Sequence, residues 1–171
     1  MTYGEKIYTP LKETEFHEGL ENGKFTQKNH RGFAILLFYT GVRVSEALRS
    51  KKEQFKILED KILFDVGPRL KHGLHTPPLP IHLDKPYVPD LLWSLKQAKE
   101  HKRVFPYCRK TGYNIISRVW HYPHHLRLTK ITNLLNQGFS LIQVRSWSGH
   151  SRIESLNPYA GIVDIEEMGK A

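Results

Sequence analysis

The arrangement of apolar positions along the first third of the chain predicts two helices. Residues 9–22 have helical spacing of apolar side chains, with Thr9 as the cap, Pro10 in the first helical position and Gly23 at the end. The uniformly apolar segment 32–39 (GFAILLFY) favours a buried helix, although its periodicity alone does not exclude a strand. The residues of the first helix that we expect to face inward are Leu11, Phe16 and Leu20.

The middle of the chain predicts a small sheet. Residues 54–66 (QFKILEDKILFDV) are typical of two short strands on either side of Glu59 and Asp60. The segment 72–82 (HGLHTPPLPIH) contains prolines that lack the backbone N–H of an inner strand. We therefore expect this segment to form an edge strand or an extended loop.

Further amphipathic segments predict helices in the second half of the chain. They span 89–101, 111–121 and 124–137, and Gly138 ends the third of them. Ser140 can cap one more helix. The apolar positions that we expect to face inward are Leu91, Leu92, Leu95, Ile115, Ile116, Val119, Leu141, Ile142 and Val144.

Length and charge narrow the class of protein. A chain of 171 residues is most simply one domain, with a core at about 9–160 and a tail at 161–171. A net charge of +9 indicates a polyanionic partner, with nucleic acid first and an acidic membrane surface second. Cys108 is the only cysteine, so an intrachain disulfide is impossible and a reducing compartment fits. Without a signal peptide or a membrane-length apolar run, we expect a cytoplasmic, DNA-associated protein with no membrane partner.

The last third of the chain contains residue types suited to phosphate chemistry. His124 and Arg127 are three residues apart, so one helix would present them on the same face. A Gly149–His150 pair follows, and Tyr159 comes nine residues after that histidine. Arginine has a permanent charge and a planar fork that matches phosphate oxygens, and a tyrosine oxygen can attack phosphorus. The H-x-x-R tetrapeptide is frequent by chance, so it does not decide the function alone.

A second group of polar residues lies far upstream, directly after the apolar segment. In Thr40–Leu48 (TGVRVSEAL), Gly41 permits a turn and Arg43 and Glu46 are three residues apart at the start of a helix. An ordinary surface ion pair is one interpretation. The other is an arginine that a carboxylate orients into a cleft, and its position after a buried helix favours this second interpretation.

These segments together resemble the catalytic domain of the tyrosine recombinases, the phage-integrase family. TGVRVSEAL, HHLR and SGHSRIESLNPY stand in the family's order and separation, and they span residues 40–159. The resemblance implies a mainly α fold with a small antiparallel sheet, and one catalytic domain over 1–171. It also implies that the N-terminal DNA-clamping domain of the family is absent from these residues.

The resemblance assigns roles to individual residues. Tyr159 would attack phosphorus and hold a DNA 3′ end. Leu79-Pro80-Ile81 resembles the end of the strand that follows the family's lysine, so Lys71 matches that lysine and would protonate the leaving 5′ oxygen. An ordinary solvated lysine is the alternative for Lys71. Glu46 would orient Arg43. The implied catalytic residues are Arg43, Lys71, His124, Arg127, His150 and Tyr159, and the reaction needs no metal and no cofactor.

Other expectations concern the DNA and the assembly. Lys99, Lys102 and Arg103 form a basic cluster that can face DNA phosphates. The resemblance implies double-stranded DNA as the partner and a homo-oligomer on DNA, with a monomer as an option in isolation. The tail 161–171 would pack on a neighbouring copy or fray.

Three rival functions stay open. Ten histidines suggest a metal hydrolase, but no known ligand spacing such as H-E-x-x-H occurs. A DNA-binding module without activity would keep the cleft but make no covalent adduct. A type IB topoisomerase would share the chemistry, although the short chain and the spacing from Gly149–His150 to Tyr159 favour the recombinase.

Overall fold

Helices dominate the described part of the chain, with short antiparallel strands between them. The computed structural model describes residues 2–3, 6–7, 9–23, 25, 27–69, 75–150 and 152–156. Its helices are α1 (Glu13–Asn22), α2 (Lys28–Thr40), α3 (Val44–Arg49), α4 (Val88–Gln97), α5 (Arg109–Ser117), α6 (Pro123–Asn136) and α7 (Leu141–Ser148), with 3-10 turns at Lys52–Gln54 and Ile153–Leu156. Its strands are β1 (Thr2–Tyr3), β2 (Lys6–Ile7), β3 (Phe55–Ile57), β4 (Lys61–Phe64) and β5 (Leu79–His82). The predicted α+β class is confirmed.

Helix α2 lies at the centre of the molecule. Every residue from Gly32 to Thr40 is buried, and the helix contacts α3, α4, α5 and α6. A helix that is apolar on all sides is stable only when other elements surround it, so the prediction of a buried helix here is confirmed. Gly41 ends the helix in the left-handed conformation, with φ +66°.

The first helix begins later than predicted. Thr9 and Pro10 precede α1, because the backbone at 9–12 bonds to α6 instead of forming a helical turn. The Thr9 carbonyl accepts a hydrogen bond from His125 Nε2 at 2.6 Å, and the Leu11 N–H donates to Thr129 Oγ1 at 2.8 Å. The predicted end is correct, since the Gly23 N–H donates to the Gly19 carbonyl. The predicted inward residues, Leu11, Phe16 and Leu20, are buried.

The three longer strands form an antiparallel sheet in the order β3-β4-β5. The two strands predicted within 54–66 are confirmed, and of the two options for 72–82 an edge strand forms at Leu79–His82. Strand β5 lies at the edge, where Pro80 is tolerated because an outer strand has one side without ladder bonds. Ile62 and Phe64 of β4 pair with Ile81 and Leu79 of β5, and all four side chains are buried. The sheet therefore adds one apolar face to the core around α2.

Helix α4 ends at Gln97 and not at His101. The chain turns at Ala98 and then runs beside residues 50–52, where the Val104 N–H donates to the Ser50 carbonyl at 3.0 Å. These backbone bonds compete with another helical turn. Helix α5 likewise ends at Ser117, before Val119.

One residue of α7 was assigned to the wrong face. Ile142 is 64% exposed, whereas Val144 is 1% exposed. Leu141, Val144 and Ser148 lie on one face of the helix at intervals of three and four residues, and Ile142 lies away from that face. None of the helices in the described ranges is both long and apolar enough to cross a bilayer.

Candidate active site

A cleft of about 450 Å³ brings the two distant polar groups of the sequence together. Arg43 reaches it from the turn before α3, and His124 and Arg127 reach it from the first two turns of α6. The described residues that line the cleft contain no carboxylate. They are Val42, Arg43, Val44, Ser45, Arg109, Tyr113, Tyr122, Pro123, His124 and Arg127. An anion would therefore meet only positive or neutral groups there.

Arg43 is held at the start of α3 by Glu46. The Arg43 N–H donates to Glu46 Oε1 at 2.9 Å, and Arg43 Nη1 lies 3.6 Å from the same oxygen. The Glu46 side chain is fully buried, whereas that of Arg43 is 21% exposed. The carboxylate thus fixes the backbone of the arginine while the guanidinium lines the cleft.

Arg127 joins the ends of two helices. Its Nη1 donates to the Gly41 carbonyl at 2.7 Å, beyond the end of α2, and its Nη2 donates to the Ser148 carbonyl at 3.0 Å, at the end of α7. The residue is only 2% exposed. Because carbonyl oxygens at helix ends carry partial negative charge, they suit a buried guanidinium.

A third arginine, Arg69, lies behind the cleft and was not predicted as a site residue. Its Nε donates to Glu46 Oε2 at 2.6 Å, and its Nη2 donates to the Ser148 carbonyl at 2.6 Å. Burial alone would raise the pKa of Glu46, but the hydrogen bonds and charge of Arg69, with help from Arg43 and Arg127, lower that pKa. Glu46 is therefore an ionised carboxylate between arginines.

His150 follows the glycine that ends α7. Gly149 is left-handed, with φ +76°, so the chain turns sharply there. His150 Nδ1 lies 2.7 Å from Ser148 Oγ in a hydrogen bond, and the His150 carbonyl accepts from Arg145 Nε at 3.0 Å. These contacts fix both the ring and the backbone of this histidine.

The two histidines share the field of the arginines. Burial lowers the pKa of His124 to about 4, and the nearby charges of Arg127 and Arg43 contribute to the shift. Burial and the same two arginines, together with Arg69, lower the pKa of His150 to about 3. Both imidazoles are therefore neutral at physiological pH.

Comparison with known proteins identifies the family of the chain, although no protein-family model matches it. The TnP I resolvase of Bacillus thuringiensis is 33% identical over 157 residues, which cover 83% of this chain and 54% of the resolvase. A Pseudothermotoga lettingae protein described as a tyrosine recombinase is 30% identical over 157 residues, which cover 85% of this chain and 54% of that protein. The chain belongs to the tyrosine recombinase family. It spans about half the length of these two curated relatives.

Solved structures agree with the family at the level of the fold. The XerH site-specific recombinase bound to its difH substrate has a TM-score of 0.70 at 19% identity, covering 91% of this chain and 51% of XerH. The catalytic domain of bacteriophage HP1 integrase has a TM-score of 0.61 at 20% identity, covering 96% of this chain and 95% of that domain. The fold is that of a tyrosine recombinase catalytic domain, as the sequence predicted.

The structure places only part of the predicted recombinase site. Arg43, His124, Arg127 and His150 lie together, whereas the predicted Lys71 and Tyr159 lie outside the described residues. The predicted tail at 161–171 also lies outside them.

The predicted DNA-binding residues line a different groove. Lys99, Lys102 and Arg103 are exposed around a groove of about 530 Å³ that also includes Lys51 and Trp93. None of these three residues lines the cleft that contains Arg43, His124 and Arg127.

Sequence reasoning missed two arginines near the site. Arg109, which lines the cleft, begins α5 without a recognised motif, and its only signal was its charge. Arg69 stands two residues before Lys71, and the signal that could have found it was the need of a buried Glu46 for a cationic partner. Within the described ranges, no group of three or more His, Cys, Asp or Glu side chains is placed to hold a metal ion.

Proposed function

We propose that this chain is a catalytic domain for site-specific recombination, which cleaves and rejoins double-stranded DNA through a phosphotyrosine at Tyr159. The main support is the cleft in which Arg43, Arg127 and His124 stand together without a carboxylate. A binding pocket of this composition suits one backbone phosphate of DNA.

The two guanidiniums supply the electrostatic part of the proposed catalysis. Attack on a phosphodiester increases the negative charge on its non-bridging oxygens, and cations that are already in place stabilise that charge. Arg127 is held by two helix-end carbonyls and Arg43 by Glu46, so neither needs to reorganise during the reaction. His150, fixed by Ser148 and Arg145, would donate a hydrogen bond to the same phosphate.

The proposed step balances without an outside energy source. The Tyr159 oxygen forms a bond to phosphorus, the bond from phosphorus to the DNA 5′ oxygen breaks, and the DNA 3′ end stays on the tyrosine. His124, neutral because its pKa is about 4, takes the proton of the tyrosine, and Lys71 gives a proton to the leaving oxygen. Attack of a 5′ hydroxyl on the phosphotyrosine reverses the step, so the domain needs neither metal nor cofactor for this chemistry.

The proposed DNA contacts extend beyond the cleft. Lys99, Lys102 and Arg103 are exposed and would bind backbone phosphates, which position a duplex without reading its sequence. We propose that the domain acts as an oligomer on DNA, since strand exchange joins ends that come from two cleaved duplexes.

The test is covalent capture of DNA. Because the target is unknown, the probe is a pool of nicked suicide duplexes with a randomised central segment, incubated at low salt where phosphate contacts are strongest. We expect the wild-type protein to form an adduct that survives denaturing electrophoresis, with a nucleotide on Tyr159 by mass spectrometry. Tyr159→Phe removes the nucleophilic oxygen and should abolish the adduct while DNA binding stays within about threefold of the wild type.

One control variant and two alternative outcomes make this test decisive. Tyr113→Phe removes a phenol that lines the cleft but that we do not assign as the nucleophile, so its adduct should persist. Binding without any adduct in the wild type would instead favour a DNA-binding module without activity. An adduct that persists in Tyr159→Phe would assign the attack to a different residue.

A further inference from the structure

Arg69 is the most deeply buried cation near the cleft, and the proposed chemistry does not use it. Its side chain has no solvent exposure, and its guanidinium contacts three parts of the chain. It donates to both oxygens of Glu46 at 2.6 and 3.2 Å, to the Ser148 carbonyl at 2.6 Å and to the Trp147 carbonyl at 3.2 Å. It also donates to Thr76 Oγ1 at 3.1 Å, so every nitrogen of the fork has a partner.

We propose that Arg69 is a positioning residue for the cleavage reaction, which holds His150 and Arg43 in one fixed relation to each other. The inference rests on the proposed function. Arg69 acts from behind the cleft and does not touch the phosphate in this assignment.

The link to His150 passes through the end of α7. The Ser148 carbonyl accepts from both Arg69 and Arg127, so two guanidiniums share one oxygen two residues before His150. A Cβ at Gly149 would lie only 2.7 Å from Arg69 Cζ and Nε, which shows that the guanidinium packs directly on the Gly149 backbone. A displacement of the Arg69 guanidinium would therefore displace the turn that carries His150.

The link to Arg43 passes through Glu46. One oxygen of this carboxylate accepts from the Arg43 N–H at 2.9 Å and from Arg69 Nη2 at 3.2 Å. A movement of Arg69 would shift the carboxylate and, with it, the first turn of α3. Displacement of catalytic groups by about 1 Å can cost about a hundredfold in rate, so a residue of this kind can control catalysis from a distance.

If Arg69 only stabilises the fold, a folded variant without it should cleave DNA like the wild type. A positioning role predicts that the folded variant loses cleavage. Buried ion pairs can often be replaced by neutral residues of similar volume without loss of stability. The test variant is therefore Glu46→Gln/Arg69→Met, which removes both charges together. Glu46→Gln keeps a side-chain oxygen for the Arg43 N–H but removes the charge that lies 3.6 Å from Arg43 Nη1. A variant that leaves Glu46 in place is therefore needed to isolate the effect of Arg69.

A control exists near the start of α2, at the opposite end of the helix from Gly41. Arg31 and Asp90 form an ion pair at 3.0 Å, with side chains 25% and 14% exposed, and Arg31 also donates to the Leu20 carbonyl at 2.8 Å. The control variant Arg31→Met/Asp90→Asn loses a partly buried arginine pair away from the cleft. Arg69→Lys, which keeps the buried charge but not the planar fork, is the second variant in case the double variant melts too low.

Two measurements test the proposal. Hydrogen exchange should become at least about tenfold faster at the Gly149 amide, which donates to the Arg145 carbonyl, in the double variant and in Arg69→Lys. Single-turnover cleavage at saturating suicide duplex should fall about a hundredfold in both variants, with DNA affinity within about threefold of the wild type. The control variant should leave both quantities unchanged.

The possible failures can be separated. A folded Arg69 variant with unchanged Gly149 exchange, or with wild-type cleavage, overturns the positioning role. A wild-type protein that forms no adduct contradicts the proposed function instead, and the exchange measurement then decides the role of Arg69 alone. Recovery of the Arg69 variants on a duplex with a 5′-bridging sulfur, a leaving group that needs no proton, would also overturn the assignment, because it would place the defect at Lys71.

Discussion

Two neutral histidines close to the guanidiniums of Arg43 and Arg127 show how this site is prepared for an anion. A protonated imidazole beside Arg43 and Arg127 would add a third positive charge to a poorly hydrated cleft, so His124 and His150 stay neutral. A bound phosphate partly offsets this effect, since its negative charge favours protonation. In the free protein, His124 therefore has the lone pair that a base needs.

Nuclear magnetic resonance titration of the imidazoles tests this electrostatic description. Both rings lose their protons as the pH rises through about 4 for His124 and about 3 for His150, so both should be neutral at pH 6. Sulfate, which stays dianionic in this range, should raise both values by about one pH unit or more by binding in the cleft.

Two arginine variants serve as controls for the titration. Arg43→Met should raise both histidine pKa values because it removes a nearby positive charge, whereas Arg31→Met, near the start of α2 and away from the cleft, should not. Histidines that titrate near pH 6.5 in the free protein would contradict the desolvated, cation-rich site.

At the scale of the elements, the site forms where helix ends meet. Helix α2 ends at Gly41 and α7 ends at Gly149, both glycines with positive φ, and Arg127 binds a carbonyl at each of these ends. The helix termini thus supply hydrogen-bond acceptors for a buried arginine, in addition to the nearby negative charge of Glu46. The sharp turns are possible because glycine lacks a Cβ.

Replacement of the glycine at the end of α7 measures how tightly this junction is packed. In Gly149→Ala the alanine would have to keep the left-handed backbone conformation of the glycine. Its methyl group would also lie 2.7 Å from Arg69 Cζ. We expect a loss of about 2–4 kcal/mol in the free energy of unfolding, from the backbone strain and from overpacking. Urea denaturation followed by circular dichroism gives this quantity.

Gly138→Ala is the matched control for the junction. Gly138 is also left-handed, with φ +90°, but nothing lies within 4 Å of its Cβ position, so only the backbone cost of about 1–2 kcal/mol applies. Equal losses in the two variants would mean that Arg69 moves away from the new methyl group without cost.

At the scale of the whole molecule, the sequence predicted features that depend on local chemistry. The apolar run formed the buried helix α2, Ser140 caps α7 as predicted, and an edge strand, one of the two options for the proline-bearing segment, formed as β5. Three motifs in a recognisable order also predicted that Arg43, His124, Arg127 and His150 belong to one site. Apart from the order of the three motifs, each of these signals lies within a few residues of the feature that it predicts.

The features that failed depend on contacts between distant residues. Thr9 does not cap α1, because its carbonyl bonds to His125, which is 116 residues away. Arg69 is buried through partners 23 and 79 residues away, Glu46 and Ser148, so nothing beside it in the sequence marks it as a core residue. From sequence alone, a lysine or arginine without a local motif is predicted to be exposed, because its buried partners come together only in the folded chain.

The net charge of +9 leads to a last prediction, which separates direct DNA contacts from the general attraction of a basic protein. Each neutralised phosphate adds about −0.9 to the slope of log affinity against log salt concentration. A triple variant, Lys99→Ala/Lys102→Ala/Arg103→Gln, should therefore make this slope shallower by about 2–3 if these exposed side chains bind phosphates. Fluorescence anisotropy of a labelled duplex from about 50 to about 200 mM salt gives the slope.

The control is Lys12→Ala/Lys56→Ala/Lys85→Ala, which removes three exposed positive charges elsewhere on the protein. Both triple variants therefore lower the net charge of +9 by the same three charges. Equal changes of slope in the two triple variants would contradict a specific role for the groove, because the affinity would then follow net charge alone.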